Sequence, residues 1–210
     1  MISIICLKWG TLYGPEYVNK LYNNLCKNIT VPYEFICFTE DTTNVLAPTK
    51  PLPKLNLEGW WNKLWLFNPQ LPVKNDRVFY IDLDTMILGN IDHILSNLSK
   101  GLYMLRDFYR PTGYGSGLMS WNLNEQFYLW ELFQVEKLKR PLLQLPGHGD
   151  QGFIEHYAHK PIYAFQEEFP GDVVSYKVHR IRDKVEGGKI MCFHGKPRPH
   201  EVPELWNEYK

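Results

Sequence analysis

Val78-Phe79-Tyr80-Ile81-Asp82-Leu83-Asp84-Thr85 is the stretch on which the reading of the whole chain turns. Four bulky apolar residues run without a break into two carboxylates one residue apart. An apolar run of this length is the pattern of a strand covered on both faces, as in a parallel sheet between helices. Side chains alternate along a strand, which predicts Asp82 and Asp84 on one face and Leu83 on the other. Open α/β sheets gather ligands at the carboxyl ends of their strands. Two acids there repel each other and lose water, so a compensating cation is expected, and a divalent metal is the economical one. Oxygen donors of this type suit magnesium or manganese, which keep waters and share their shell with substrate phosphates. Taken alone, Asp-x-Asp is also what a solvated strand end looks like.

Upstream, residues 2–7 read as a first strand. Lys8 to Gly14 is a glycine-bracketed loop, and Pro15 suits the first turn of a helix. Val18, Leu21, Tyr22 and Leu25 recur at helical spacing to about Asn28, and Tyr33 to Thr39 is a second strand. Strand, helix and strand within about forty residues make a βαβ unit. Residues 47–57, with Pro48, Pro51 and Pro53, read as irregular and extended. Trp60 to Phe67 is a short buried helix stopped by Asn68-Pro69. Lys63 is the odd residue in it, and by itself reads as a snorkelling lysine with its head in water.

Downstream, Ile87 to Asp92 leaves the acidic turn for a short helix, and Gly101 to Asp107 is another strand. Arg110 to Gly117 reads as a loop and Leu118 to Asn122 as strand again, with Asn124 capping a helix to about Lys139. Gly147 to Gly152 is a glycine-rich turn, with Asp150 or its neighbour capping a helix through Tyr157. Val173–Val178 and Lys189–Phe193 complete the strands, and His194-Gly195-Lys196-Pro197-Arg198 follows as a basic turn. There is no internal repeat or clear linker. The expected architecture is one α/β domain with a mostly parallel central sheet flanked by helices.

The chain has 210 residues, ample for one core. Lysine plus arginine and aspartate plus glutamate number 23 each, so a general grip on duplex nucleic acid or an anionic membrane is not expected. Arg106, Arg110, Lys137, Lys139 and Arg140 leave room for a local basic patch. The apolar N-terminus is short, lacks a basic leader and reads as a strand, not a signal peptide. No apolar run is long enough to span a bilayer. Cys6, Cys37 and Cys192 sit in apolar strand-like runs and Cys26 near a helix end, with no CxxC pair, which fits free thiols in a reducing cytoplasm.

Other polar clusters read as follows. His194 ends the apolar run Ile190 to Phe193 and could complete a metal shell, with imidazole favouring manganese; Gly195 would permit close backbone approach and Lys196 would neutralise phosphate. The alternative is a basic surface turn. His148, His156 and His159 invite a metal reading, but no Glu or Cys partner stands at zinc-site spacing, and His156 and His159, three apart on one helix face, read as a solvent-exposed pair. Gly115-Ser116-Gly117 lacks the G-x-S-x-G spacing of a hydrolase nucleophile.

Five separated segments together resemble the GT-A (Rossmann-like) fold glycosyltransferases, most closely the family 8-like group related to glycogenin and the bacterial lipopolysaccharide galactosyl- and glucosyltransferases. Tyr80 to Asp84 with Leu88 to Ile91 is similar to the family's metal-binding DxD strand and its sequel. Asn62-Lys63-Leu64 resembles its lysine-bearing helix. Gly115-Ser116-Gly117-Leu118-Met119 with Trp121-Asn122 resembles its N-S-G-V-M…F-N strand, and Gly149-Asp150-Gln151-Gly152 its sugar-contacting segment. Phe193-His194-Gly195-Lys196-Pro197 resembles the closing H-x-G-x-x-K-P-W element, here compressed, with Arg198 for the tryptophan. Gly115 stands where asparagine is usual. The resemblance spans residues 2 to about 200 and points to a small bacterial- or phage-type branch.

The resemblance implies a single domain with a nucleotide-binding half at about 1–90 and a sugar and acceptor half at about 91–210. Cys6, Lys8, Gly10 and Leu83 would lie along the nucleotide, with Tyr13 stacking on the base. Asp84, His194 and Asp82 would hold Mn2+ or Mg2+, and Lys63 and Lys196 would face the diphosphate. Ser116 and Gly195 would border the donor, with Asp150 and Gln151 orienting its sugar. The implied reaction is transfer from a nucleotide sugar, UDP-linked by expectation, with retained configuration, to a glycan, lipid-linked, protein or modified-base acceptor. Two rival readings remain. A nucleotide-sugar or carbohydrate-binding module would keep the fold without turnover. A haloacid-dehalogenase-like phosphatase shares the opening motif, but Met86 stands where it needs Thr or Val, and the late acidic pair is missing.

Overall fold

A computed structural model of the protein describes residues 1–147 and 149–209; His148 lies outside the described residues. The strands are β1 (Ile2–Lys8), β2 (Tyr33–Thr39), β3 (Thr49–Pro51), β4 (Arg77–Ile81), β5 (Thr85–Ile87), β6 (Leu102–Arg106), β7 (Tyr114–Asn122), β8 (Ile162–Ala164), β9 (Val173–Ser175) and β10 (Ile190–Cys192). Seven form one sheet in the order β3-β2-β1-β4-β7-β6-β8. Only β7 runs antiparallel to its neighbours, so the sheet is mostly parallel as expected. A second sheet, β5-β10-β9, joins residues about a hundred positions apart, pairing Met86 with Met191.

The unbroken apolar run of β4 follows from burial on both faces. Phe79 and Ile81 pack with Ile4 and Cys6 against helix α1 (Pro15–Asn28), through Val18, Leu21 and Leu25. Val78 and Tyr80 pack on the other face with Trp61, Leu64, Phe133 and Phe153. Trp61 belongs to a 3-10 helix, Gly59–Phe67. A short helix α2 (Asp92–Ser96) follows β5, and Phe133 and Phe153 come from α4 (Tyr128–Lys139) and α5 (Gly149–Tyr157). Each fully buried phenylalanine contributes about 2–3 kcal/mol by removal from water.

Several expectations are corrected. β4 ends at Ile81, and Asp82 to Asp84 form a turn closed by the Thr85 amide donating to the Asp82 carbonyl at 3.1 Å. Leu83 continues the apolar face of Phe79 and Ile81 into the core, whereas Asp82 and Asp84, on either side of it, border the same two cavities although Asp84 lies on the turn and not in the strand. Gly115 to Gly117 is bulged strand and not loop: the register against β6 jumps between Met104 opposite Met119 and Leu105 opposite Gly115. The residue whose side chain caps the next helix, α3 (Leu123–Gln126), is Asn122 and not Asn124; its side chain accepts from the Asn124 amide. The strand expected over Val173–Val178 stops at Ser175, where a π-helix, Tyr176–Arg182, begins with its Ser175 side chain accepting from the Val178 amide. A π-turn inside irregular chain is a local departure that sequence periodicity does not signal.

Candidate active site

The site lies where β4, β7, the Gly59–Phe67 helix and α5 converge. The Asp82 amide donates to the Gly117 carbonyl at 2.9 Å, which ties the acidic turn to the bulged start of β7. Trp61, Leu64 and Trp65 anchor the 3-10 helix in the core and leave Lys63 directed inward. Its ammonium donates to Asp82 Oδ2 at 2.7 Å and to Ser116 Oγ at 3.3 Å, and stands 4.0 Å from Asp150 Oδ2. It also lies 5.5 Å from the Tyr80 ring centroid. The snorkelling reading is therefore overturned: the charged head is buried among acids. Burial opposes that charge, but Asp82 and Asp150 outweigh it and hold the Lys63 pKa above its ordinary value.

Asp150 occupies the first turn of α5 with its side chain 5% exposed. Burial raises its pKa against the pull of Lys63. Its Oδ2 has charge compensation from Lys63 but no hydrogen bond, since 4.0 Å is beyond that range. The other oxygen of Asp82 accepts from the Tyr80 hydroxyl. Lys63, Asp82, Ser116 and Asp150 thus make a nearly closed electrostatic floor.

Asp84 is placed differently. Its Oδ2 accepts only two long, uncharged contacts, from the Tyr13 hydroxyl at 3.2 Å and the Gly195 amide at 3.4 Å. Among the described residues it has no ion pair. Burial, then the neighbouring Asp82 charge, push its pKa up to about 6, with Lys63 pulling the other way. His194 borders the same cavity, in the left-handed region at φ 40° and followed by Gly195 at φ 98°. That conformation is strained for a histidine, a feature that clusters at functional sites. Its Nε2 is 2.5 Å from Ser175 Oγ, and its ring stacks on Phe108 at 4.9 Å. Burial and Lys177 push its pKa down to about 4, which leaves the imidazole neutral.

A carboxylate without an ion pair and a neutral imidazole bordering one cavity are donor types that suit a divalent ion. Among the described residues no three His, Cys, Asp or Glu side chains already stand in metal-holding geometry. Magnesium and manganese commonly take part of their shell from water and substrate phosphate, so two or three protein donors would be enough for such an ion.

Two adjoining cavities share Trp60, Lys63, Asp82 and Asp84, one of about 450 Å³ and one of about 270 Å³. The larger is bordered by Ser116, Asp150, Gln151 and His194, the smaller by Tyr13 and Leu83. Of the other expected site residues, Cys6, Lys8, Gly10, Gly195 and Lys196 border neither. Cys6 is sealed in the core and Lys8 is buried, whereas their neighbours Leu7 and Trp9 face the smaller cavity. Gly195 reaches the site through its amide, and Lys196 is exposed. His156 and His159 are exposed as expected; α5 ends at Tyr157, so His159 lies beyond it and stacks on Tyr128 at 4.4 Å. Sequence reasoning missed Trp60, Phe108 and Tyr109, which supply aromatic walls to the larger cavity. The one signal for Trp60 was an aromatic doublet, Trp60-Trp61, of which a core could use only one.

The chain has the GT-A fold, with a seven-stranded mixed sheet and the acidic turn at the end of β4. Among solved structures it is similar to the glycosyltransferase GlyE of Streptococcus pneumoniae TIGR4, with a TM-score of 0.71 at 14% identity over 99% of this chain. It spans 59% of the GlyE chain. It is also similar to the galactosyltransferase LgtC, whose structure holds donor and acceptor sugar analogs, with a TM-score of 0.65 at 12% identity over 98% of this chain and 95% of that one. The bifunctional glycosyltransferase WbbM matches with a TM-score of 0.65 at 13% identity, over 94% of this chain and 46% of its own. No family model matches the sequence, and neither does any curated protein.

Proposed function

We propose that the protein is a glycosyltransferase of the family 8-like group that transfers a sugar from a nucleotide donor, UDP-linked and with Mn2+ or Mg2+ bound, to a glycan-type acceptor with retention of configuration. The observation that carries this reading is the contrast at the acidic turn: Lys63 pairs with Asp82 and stands 4.0 Å from Asp150, while Asp84 forms no ion pair among the described residues. Asp84 and His194, with Asp82 at the edge, would hold the ion, which when bound supplies Lewis-acid stabilisation to the leaving diphosphate. Lys63 adds a fixed positive charge next to the breaking bond, at no reorganisation cost because the floor already holds it in place. Asp150 and Gln151, on the first turn of α5, orient the sugar hydroxyls and thereby the anomeric carbon. Tyr13 and Trp9 border the smaller cavity and would flank the base.

Incubation with a panel of nucleotide sugars, with manganese or with chelator, tests the reading through released nucleoside diphosphate. Metal-dependent release from at least one donor is expected, and Asp84→Asn should abolish it. No release from any donor, together with no donor binding by calorimetry, would sink the proposal. Tight donor binding without release would instead favour a binding module.

A further inference from the structure

Every residue from Trp61 to Phe67 in the 3-10 helix is buried, yet Trp60 beside them is 57% exposed. It is also held in place. The backbone of Gly149 lies so close that a Cβ there would meet the indole Nε1 at 2.3 Å. Gly149 immediately precedes Asp150 and Gln151, so the indole is fixed relative to the acid on the cavity floor. A second exposed ring, Tyr109 at 63%, borders the same cavity and stands edge-on to His194 at 5.5 Å. The cavity therefore combines a floor of carboxylates and ammonium with an aromatic rim. A pyranose has that same two-sided chemistry: hydroxyls for the acids, and a C–H face that packs on an aromatic ring.

We propose that Trp60 and Tyr109 form the platform that receives the acceptor as a pyranose ring, its apolar face on the indole. This rests on the glycosyltransferase reading and adds the residues that select the acceptor. A nucleobase could also stack on Trp60, which borders the smaller cavity too, but Trp9 and Tyr13 already furnish that cavity with rings.

Saturation-transfer NMR tests the platform, using methyl β-galactopyranoside and methyl β-glucopyranoside with UDP and manganese present. The C–H face of at least one pyranoside should receive saturation from the wild-type protein. Trp60→Ala should weaken its binding about tenfold more than it weakens UDP binding in parallel titrations. Trp60→Phe should restore most of the loss, and Tyr109→Ala should cause a smaller one. Unchanged pyranoside signals in Trp60→Ala would overturn the platform. So would UDP-competent wild-type protein that binds neither pyranoside, or a loss falling mainly on UDP, which would make Trp60 a base platform. Failure of the wild-type protein to bind UDP at all would instead strike the underlying glycosyltransferase reading.

Discussion

The floor beneath Lys63 and the wall raised by the small sheet handle their carboxylates in opposite ways. Asp82 has an ammonium at 2.7 Å; Asp84, two residues on, has only a phenol and an amide at more than 3 Å. The floor is built from β4, β7, the Gly59–Phe67 helix and α5, all packed on the central sheet. The wall comes from β10 and the strained His194–Gly195 turn, reached by the chain only after a hundred further residues. Folding supplies the floor with its own counter-ion, one ammonium shared by two carboxylates. The wall keeps a deficit of positive charge that a bound ion and diphosphate chemistry would fill.

The largest expected effect breaks the floor. Lys63→Met removes the only cation that forms an ion pair with Asp82 or Asp150 among the described residues, leaving two carboxylates with little water. Breaking a buried pair from one side costs about 3 kcal/mol or more. Urea unfolding should show that loss at pH 8. It should shrink toward pH 5, because Asp150, whose pKa burial raises, takes up a proton in the folded state before the unfolded one. A loss under about 1 kcal/mol at pH 8 would mean that Lys63 is not what stabilises the two carboxylates of the floor.

The wall should respond with the opposite sign. With Asp84 at about 6 when folded and an ordinary value of 3.8, the folded protein holds a proton that the unfolded chain has released. Metal-free stability should therefore fall as pH rises from about 4 through 6, then level off. Asp84→Asn should lack that slope and be more stable than wild type above pH 6 by roughly 1–2 kcal/mol, a figure reduced for the partial exposure of the carboxylate. Manganese at about a hundred times its Kd should add roughly 2.7 kcal/mol to wild type and little to the variant. A wild-type protein indifferent to both pH and manganese in this window would remove the charge deficit from which the metal site is inferred.

The two regions also differed in how far the sequence revealed them. Val78 to Ile81, Ile2 to Lys8 and Tyr33 to Thr39 are long apolar runs, so the central sheet and its acidic end were legible from pattern alone. Lys63 was not: read singly it is a surface lysine, and only its resemblance to a family motif pointed it inward. Ser116 was placed near the donor but in a loop, because Gly-Ser-Gly signals a turn as readily as a bulge. β5 and β10 are three residues each, and their pairing across a hundred positions has no local signature. Phe108 and Tyr109 became walls through that long-range closure.

The smallest effect concerns which cation serves the wall. Resemblance to the closing motif assigns the diphosphate to Lys196, which is exposed, whereas Lys177 is half-buried; neither borders a cavity. Lys177, on the π-helix, donates to the His194 carbonyl at 2.8 Å and lies 3.7 Å from where a Gly195 Cβ would stand. Its charge therefore sits on the very turn whose amide reaches Asp84. In titrations with UDP and manganese, Lys177→Met should cost about 1 kcal/mol, roughly fivefold in Kd. Lys196→Met should stay within about half that energy, since an exposed charge is screened by solvent. The opposite order would restore Lys196 to the diphosphate and show that the His194–Lys196 turn swings inward when donor binds, so that the wall is completed by motion as well as by charge.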